Sequence, residues 1–482
     1  MKIINSILLF LFININQFSS YIVIPFKTFQ NSKLSKSINL AEDFLQRQIN
    51  NTIYIEIEAG LPSQKLPALI LSKEYGFSII NQKCIVPSSF DTIEKSKTFS
   101  KSESINEYKF NYMINSNIIM GKDIFNFPTE SSSRKQALLN FIYSPNEKDI
   151  KPNKEENSEL YFSNNKNGNY TCACIGISGS NNLNKYYEKN LINQLYNENI
   201  IENNYFSIIF STDSNEEGIF LIGVEPHEHD KENYFEPQLT LIKNEENNFF
   251  TYWSLFPDKI YFKNNNQIYN ITDNLICTLE YNLGVIFGTQ DYLKLIKEQF
   301  FKTLLGQNKC HEEIVYSVYT IFYCDNKKDI EIFPTLNFYL DKISFTFELN
   351  YKDLFFEEKN KYFFKIIFDR NNNQWKLGKP FLQKYVFVYD YDSKDIGFYN
   401  NNISKESKVK KLIKIIINIS VIVGILLFLY CVGVFYGIKI YNKAVVAEEV
   451  ENEDEYKYKK REKRSLNYSY IEMMVESKVI EE

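Results

Sequence analysis

The sequence predicts a mainly β body with an apolar leader at one end and a single membrane helix at the other. Three observations carry that expectation. Short runs rich in Ile, Phe, Tyr and Val alternate with period two, Asn- and Lys-rich connections separate them, and one long apolar stretch lies near the C-terminus.

Taken in order, residues 1–20 have the layout of a signal peptide: Lys2 precedes an apolar run from Ile3 to Ile13, and Ser19 and Ser20 follow it. Strands are expected at TIYIEIE (52–58), KFNYMI (109–114), YFSIIFS (205–211), GIFLIGV (218–224), KIYF (259–262), SFTFEL (344–349), YFFKIIF (362–368) and YVFVYDY (385–391). Helices are expected at 190–198 and 290–305, the second placing Tyr292, Leu293, Ile296, Phe300 and Leu304 on one face. The charged, Asn-rich stretches 145–168 and 241–249 read as surface loops.

Residues 415–437 are broken only by Asn418, Ser420 and Cys431, and as a helix would span about 34 Å, enough to cross a bilayer. Lysines flank both ends, so the leader decides the orientation. The expectation is a type I single-pass protein of the secretory route or cell surface, its body outside the cytosol and its tail, 438–482, inside. The tail carries YIEM (470–473), which fits a short tyrosine-based sorting pattern.

A net charge of −5 over 482 residues leaves no basic footprint, so nucleic acid is not an expected partner. Hydrophobic residues make up 44% and aromatics 16%, ample for packed cores. Glycine is scarce at 16 residues, so turns must lean on Asn, which tolerates the left-handed region. Of seven cysteines, Cys431 falls in the apolar stretch and six lie in the exported part, where fifteen pairings are open. Cys310 with Cys324 is the expected disulfide; the pairing of Cys84, Cys172, Cys174 and Cys277 stays open. Sequons at Asn50, Asn169, Asn270 and Asn402 are candidate glycan sites. In PHEHD (226–230), His227, His229 and Asp230 are metal-ligand types, yet two histidines without a third cluster do not make a site. No metal and no cofactor are expected.

One stretch carries a specific resemblance. QWKLGKPFLQKYVFVYDYDSKDIGFY (374–399) resembles the C-terminal strands of pepsin-like aspartic proteases. YWSLFPDKIYF (252–262), CDNKKDIEIFPTLNFYL (324–340), EGIFLIGVEP (217–226) and IYIEIEAGLPSQ (53–64) are similar to further segments of that family. The resemblance implies a bilobal β fold with an N-terminal lobe over 51–235 and a C-terminal lobe over 236–404. VIPFKTFQ (23–30) looks like the start of a pro-segment, here 21–50, which can also remain as an added strand.

The same alignment implies that the chemistry is gone. Read without a gap from Gln64, the family's first Asp-Thr-Gly falls on Leu71, Ser72 and Lys73, and the second falls on Glu280, Tyr281 and Asn282. Catalysis there needs two aspartates sharing a proton, presented by turns whose glycines let the backbones approach. A leucine cannot share a proton, and replacing both glycines should disfavour the paired turns. Lys73 and Glu280 are placed to meet as an ion pair. Tyr112 takes the position of the aromatic that closes over substrate, while Ile175/Gly176 and Leu377/Gly378 match the segments that cross behind the catalytic loops. The resemblance therefore implies a non-catalytic relative that binds peptide or protein ligands. The alternatives are an active endopeptidase using Glu280 with a partner such as Glu74, and a structural or adhesive surface protein.

Overall fold

The computed structural model describes residues 20–30, 39–49, 51–73, 75–80, 93–109, 113–128, 134–144, 150–152, 172–178, 190–211, 216–242, 252–264, 267–272, 275–400 and 405–479. The chain divides into two units, residues 1–401 and 402–482.

The first unit opens with β1 (Ile22–Gln30), α1 (Leu40–Ile49) and β2 (Asn51–Ala59). In β2 the expected alternation is literal: Ile53, Ile55 and Ile57 are buried while Glu56 faces water. Gly60, at φ +79°, lets the chain turn, and a Cβ there would lie 2.8 Å from Ser96. The chain returns as β3 (Gln64–Leu71) and β4 (Tyr75–Ile80). Next come β5 (Met113–Pro128), β6 (Arg134–Ser144), β7 (Cys172–Ile177), α2 (Leu191–Asn197), β8 (Tyr205–Phe210) and β9 (Glu217–Ile222). These strands, β1 included, join one large sheet, and β1 sits inside it, antiparallel to β9 on one side and β2 on the other.

The second half repeats the arrangement with β10 (Cys277–Leu279), β11 (Ile286–Gly288), β12 (Cys310–Val315), β13 (Tyr319–Cys324), β14 (Ile366–Asp369) and β15 (Trp375–Leu377). In the first half β3 runs parallel to β7, β4 antiparallel to β7, and β4 parallel to β6. In the second, β10 runs parallel to β15, β11 antiparallel to β15, and β11 parallel to β14. The two halves are thus copies of one motif, in keeping with the expected pair of hydrophobic-hydrophobic-Gly signatures.

The short helix α3 (Lys379–Leu382) leads to β16 (Phe387–Asp390) and β17 (Ile396–Tyr399). These C-terminal strands enter the first half's sheet, β16 pairing with β8, so the two halves share one backbone ladder. Aromatic rings fill the junction: Phe206 stacks on Tyr389 at 4.6 Å, and Trp253 Nε1 donates to Ile177 O at 2.6 Å. The helix expected over 290–305 is present but contains a π turn at Lys297–Phe301. The insertion keeps Tyr292, Ile296, Phe300 and Leu304 all facing the core. Cys310 and Cys324 face each other across the β12–β13 hairpin and are bonded, as expected, while Cys174 and Cys277 are buried free thiols. Cys84 lies outside the described residues.

The second unit is a single helix, α4 (Lys405–Val479). Its segment Ser420–Ala444 is long and apolar enough to cross a membrane. That window covers the expected 415–437 from Ser420 onward, and Ile438, Ile440 and Tyr441 carry the apolar run past Gly437 around Lys439 and Lys443.

Candidate functional site

The two turns implied by the family alignment lie together. Leu71 ends β3, opposite Gly176 in the parallel register, and is 2% exposed. β10 ends at Leu279, opposite Leu377, and Glu280 follows it directly as Gly378 follows Leu377. Glu280 is 6% exposed, its N–H held by Leu377 O at 3.0 Å.

Across the gap, Lys73 Nζ lies 3.5 Å from Glu280 Oε1, and Thr278 Oγ1 donates to the same oxygen at 3.3 Å. The expected ion pair is present. Side chains tie the two turns together. Asn282, on which the resemblance sets the second glycine, spans the gap with its side chain: Oδ1 accepts from Ser72 N at 3.2 Å and Ser72 Oγ at 3.1 Å, and Nδ2 donates to Ile70 O at 2.8 Å. Ser72 Oγ in turn accepts from Tyr281 N at 2.9 Å. Neither Lys73 nor Asn282 adopts positive φ, so the turns close without glycine because a side-chain amide supplies the bonds. Tyr281 points away, its hydroxyl 2.7 Å from that of Tyr389, and burial pushes both phenols well above their ordinary range.

Sequence reasoning missed two neighbours. Lys379, 4% exposed, sends Nζ to Asn51 Oδ1 at 2.5 Å and over the Phe210 ring at 5.5 Å. Burial holds its amine down at about 7, with Glu216 acting in the opposite sense. The signal was a lysine directly after Leu377/Gly378, at the foot of the second turn. Gly284, two residues past Asn282, donates its N–H to Gln48 O at 2.8 Å.

Tyr112 and Glu74 lie outside the described residues, as do Asn50, Asn169 and Asn402; Asn270 is exposed on a strand spanning Gln267–Ile271. His227 Nδ1 lies 2.7 Å from the Tyr399 hydroxyl and 3.6 Å from Glu225 Oε2, a local arrangement remote from the turns in sequence. Among the described residues no group of His, Cys, Asp and Glu is arranged to hold a metal.

Comparison with known proteins agrees with this geometry. No curated protein sequence matches the chain. Among solved structures, basic 7S globulin from soybean superposes with a TM-score of 0.52 at 12% identity, covering 79% of this chain and 96% of that one, a likeness of fold. The model of the eukaryotic aspartyl proteases matches residues 154–401, slightly more than half of the sequence. The chain belongs to the eukaryotic aspartyl protease family.

Proposed function

We propose that this is a membrane-anchored, non-catalytic aspartyl protease relative whose body binds peptide or protein ligands. The observation that carries the proposal is the Lys73–Glu280 pair at 3.5 Å beside a buried Leu71. The family's chemistry requires two carboxylates around one water and one proton. Here one position is an alkyl group, and the other carboxylate is offset by an ammonium. Ser72 and Asn282 bridge the two turns with side-chain hydrogen bonds.

A cleft between sheets can take an extended chain by backbone hydrogen bonds without cutting it. The apolar helix supports a single-pass anchor, and the Cys310–Cys324 bond supports an oxidising compartment. With the leader, these favour a type I orientation in the secretory route or at the cell surface. The proposal is tested by anisotropy titration of a fluorescent peptide library against the purified exported body. Saturable binding is expected, with peptides recovered at full length and affinity at least about tenfold weaker in Tyr112→Ala. Absence of binding across the library would favour the structural or adhesive alternative.

A further inference from the structure

The N-terminal segment is built into the fold at three places. β1 is hydrogen-bonded on both edges, from Ile22 opposite Ile222 to Gln30 opposite Asn51. Its Phe26 ring packs so tightly on Gly218 that a Cβ there would lie 2.5 Å from it. Removing β1 would bare two strand edges in the middle of the sheet.

The second place is α1. Asn39 caps it by accepting from Ala41 N at 2.8 Å. Its inner face, Ala41, Phe44 and Leu45, is fully buried in a cluster with Leu283, Val285 and Phe287, the residues that follow the second site turn. Phe44 stacks on Phe363 at 4.4 Å. Around that face Arg47 pairs with Asp43 and Glu358, Lys359 with Asp43 at 2.8 Å, and the Tyr316 hydroxyl donates to Glu42 at 2.6 Å.

The third place is the end of the helix. Gln48 O takes the N–H of Gly284 at 2.8 Å, and a Cβ at Gly284 would lie 3.1 Å from that same oxygen, a tight approach of the two backbones. Asn51 then holds Lys379. A chain laid along residues 283–287 would find that backbone donor already occupied and its apolar side chains already covered.

We propose that residues 22–49 remain in the mature chain as a permanent strap, with α1 the built-in occupant of the C-terminal-half side of the site. This deepens the non-catalytic proposal and rests on it. An external ligand then engages the side of the site formed by the N-terminal half.

Intact mass and N-terminal peptide mapping of the protein purified from its own membranes provide the test. Peptides from 22–49 are expected in one chain with residue 51 onward; a mature chain beginning at or after residue 50 overturns the proposal. Hydrogen exchange on the same unmodified protein needs no variant. Peptides spanning 40–49 and 283–287 should be protected together, and exchange of 40–49 at the rate of an unstructured peptide overturns it. In the full chain, Phe44→Asp should raise tryptic cutting after Arg47 at least tenfold, and an unchanged rate counts against the strap. None of these readouts depends on whether the protein cuts peptides, so failure of the strap and failure of the non-catalytic proposal remain distinguishable.

Discussion

Asn282 places one amide among three groups of the opposite turn, and all of them are buried. Asn282→Ala removes those bonds and strands Ser72 N and Ile70 O, at a cost of about 3 kcal/mol from the usual penalty for unsatisfied buried groups. Chemical denaturation should show the midpoint falling with an unchanged slope. Two titratable groups near pH 7, half-buried Glu225 and buried Lys379, act in opposite directions. Glu225 is raised to about 7 by burial, then by Glu228, Glu236 and Asp390, so its stabilising contribution is full below about 4.5 and is lost as pH rises through 7. Lys379 is lowered to about 7 by burial, so its contribution is full above about 10.5 and is lost as pH falls through 7. Glu225→Gln should flatten the stability profile between pH 4.5 and 7, and Lys379→Met should flatten it between 7 and 10.5; a profile unchanged in those windows would contradict both assignments. The proposed loss of the two catalytic aspartates rests on the sequence, where strand and turn spacing sets the register of Leu71 and Glu280. The bridging role of Asn282 was not, since it depends on a contact with residues about 210 positions away that no local pattern encodes.

At the scale of elements, the alternating runs were legible because period-two burial writes itself into the residue order, as Ile53, Ile55 and Ile57 show. Helix α1 was overlooked although its signal was present: Asn39 as a cap, Glu42 and Asp43 in the first turn, and apolar residues at 40, 41, 44 and 45. A ten-residue helix is marginal alone, and what stabilises it is a surface formed by residues 283–367. The π turn at Lys297–Phe301 was equally hidden, because a one-residue insertion leaves the composition unchanged. The β12–β13 hairpin is closed by Cys310–Cys324 over a separation of 14 residues. Replacing both with serine should cost about 3 kcal/mol in the chain-entropy picture, measurable as a lower melting temperature. No change on reduction would contradict a stabilising role for the bond.

For the whole molecule, the duplicated motif was legible from two short signatures, Ile175/Gly176 and Leu377/Gly378, because each must cross behind a turn in the same way. Less legible was how the halves are joined: β16 and β17 from the far end of the chain and β1 from the near end meet in one sheet. That joint, with Trp253 reaching Ile177 and Phe206 stacked on Tyr389, holds the two turns opposite each other whether or not they carry aspartates. On the proposed reading, the architecture of a protease is kept while its proton-sharing pair gives way to a hydrogen-bonded tie and an ion pair. The measurement that tests this most directly is mass-spectrometric detection of cleavage when the purified exported body meets a complex peptide pool from acid to neutral pH, beside a Glu280→Gln version. Both proteins are expected to leave the pool intact at every pH. Cleavage by the unmodified protein that disappears in Glu280→Gln would make Glu280 a catalytic carboxylate and contradict the account.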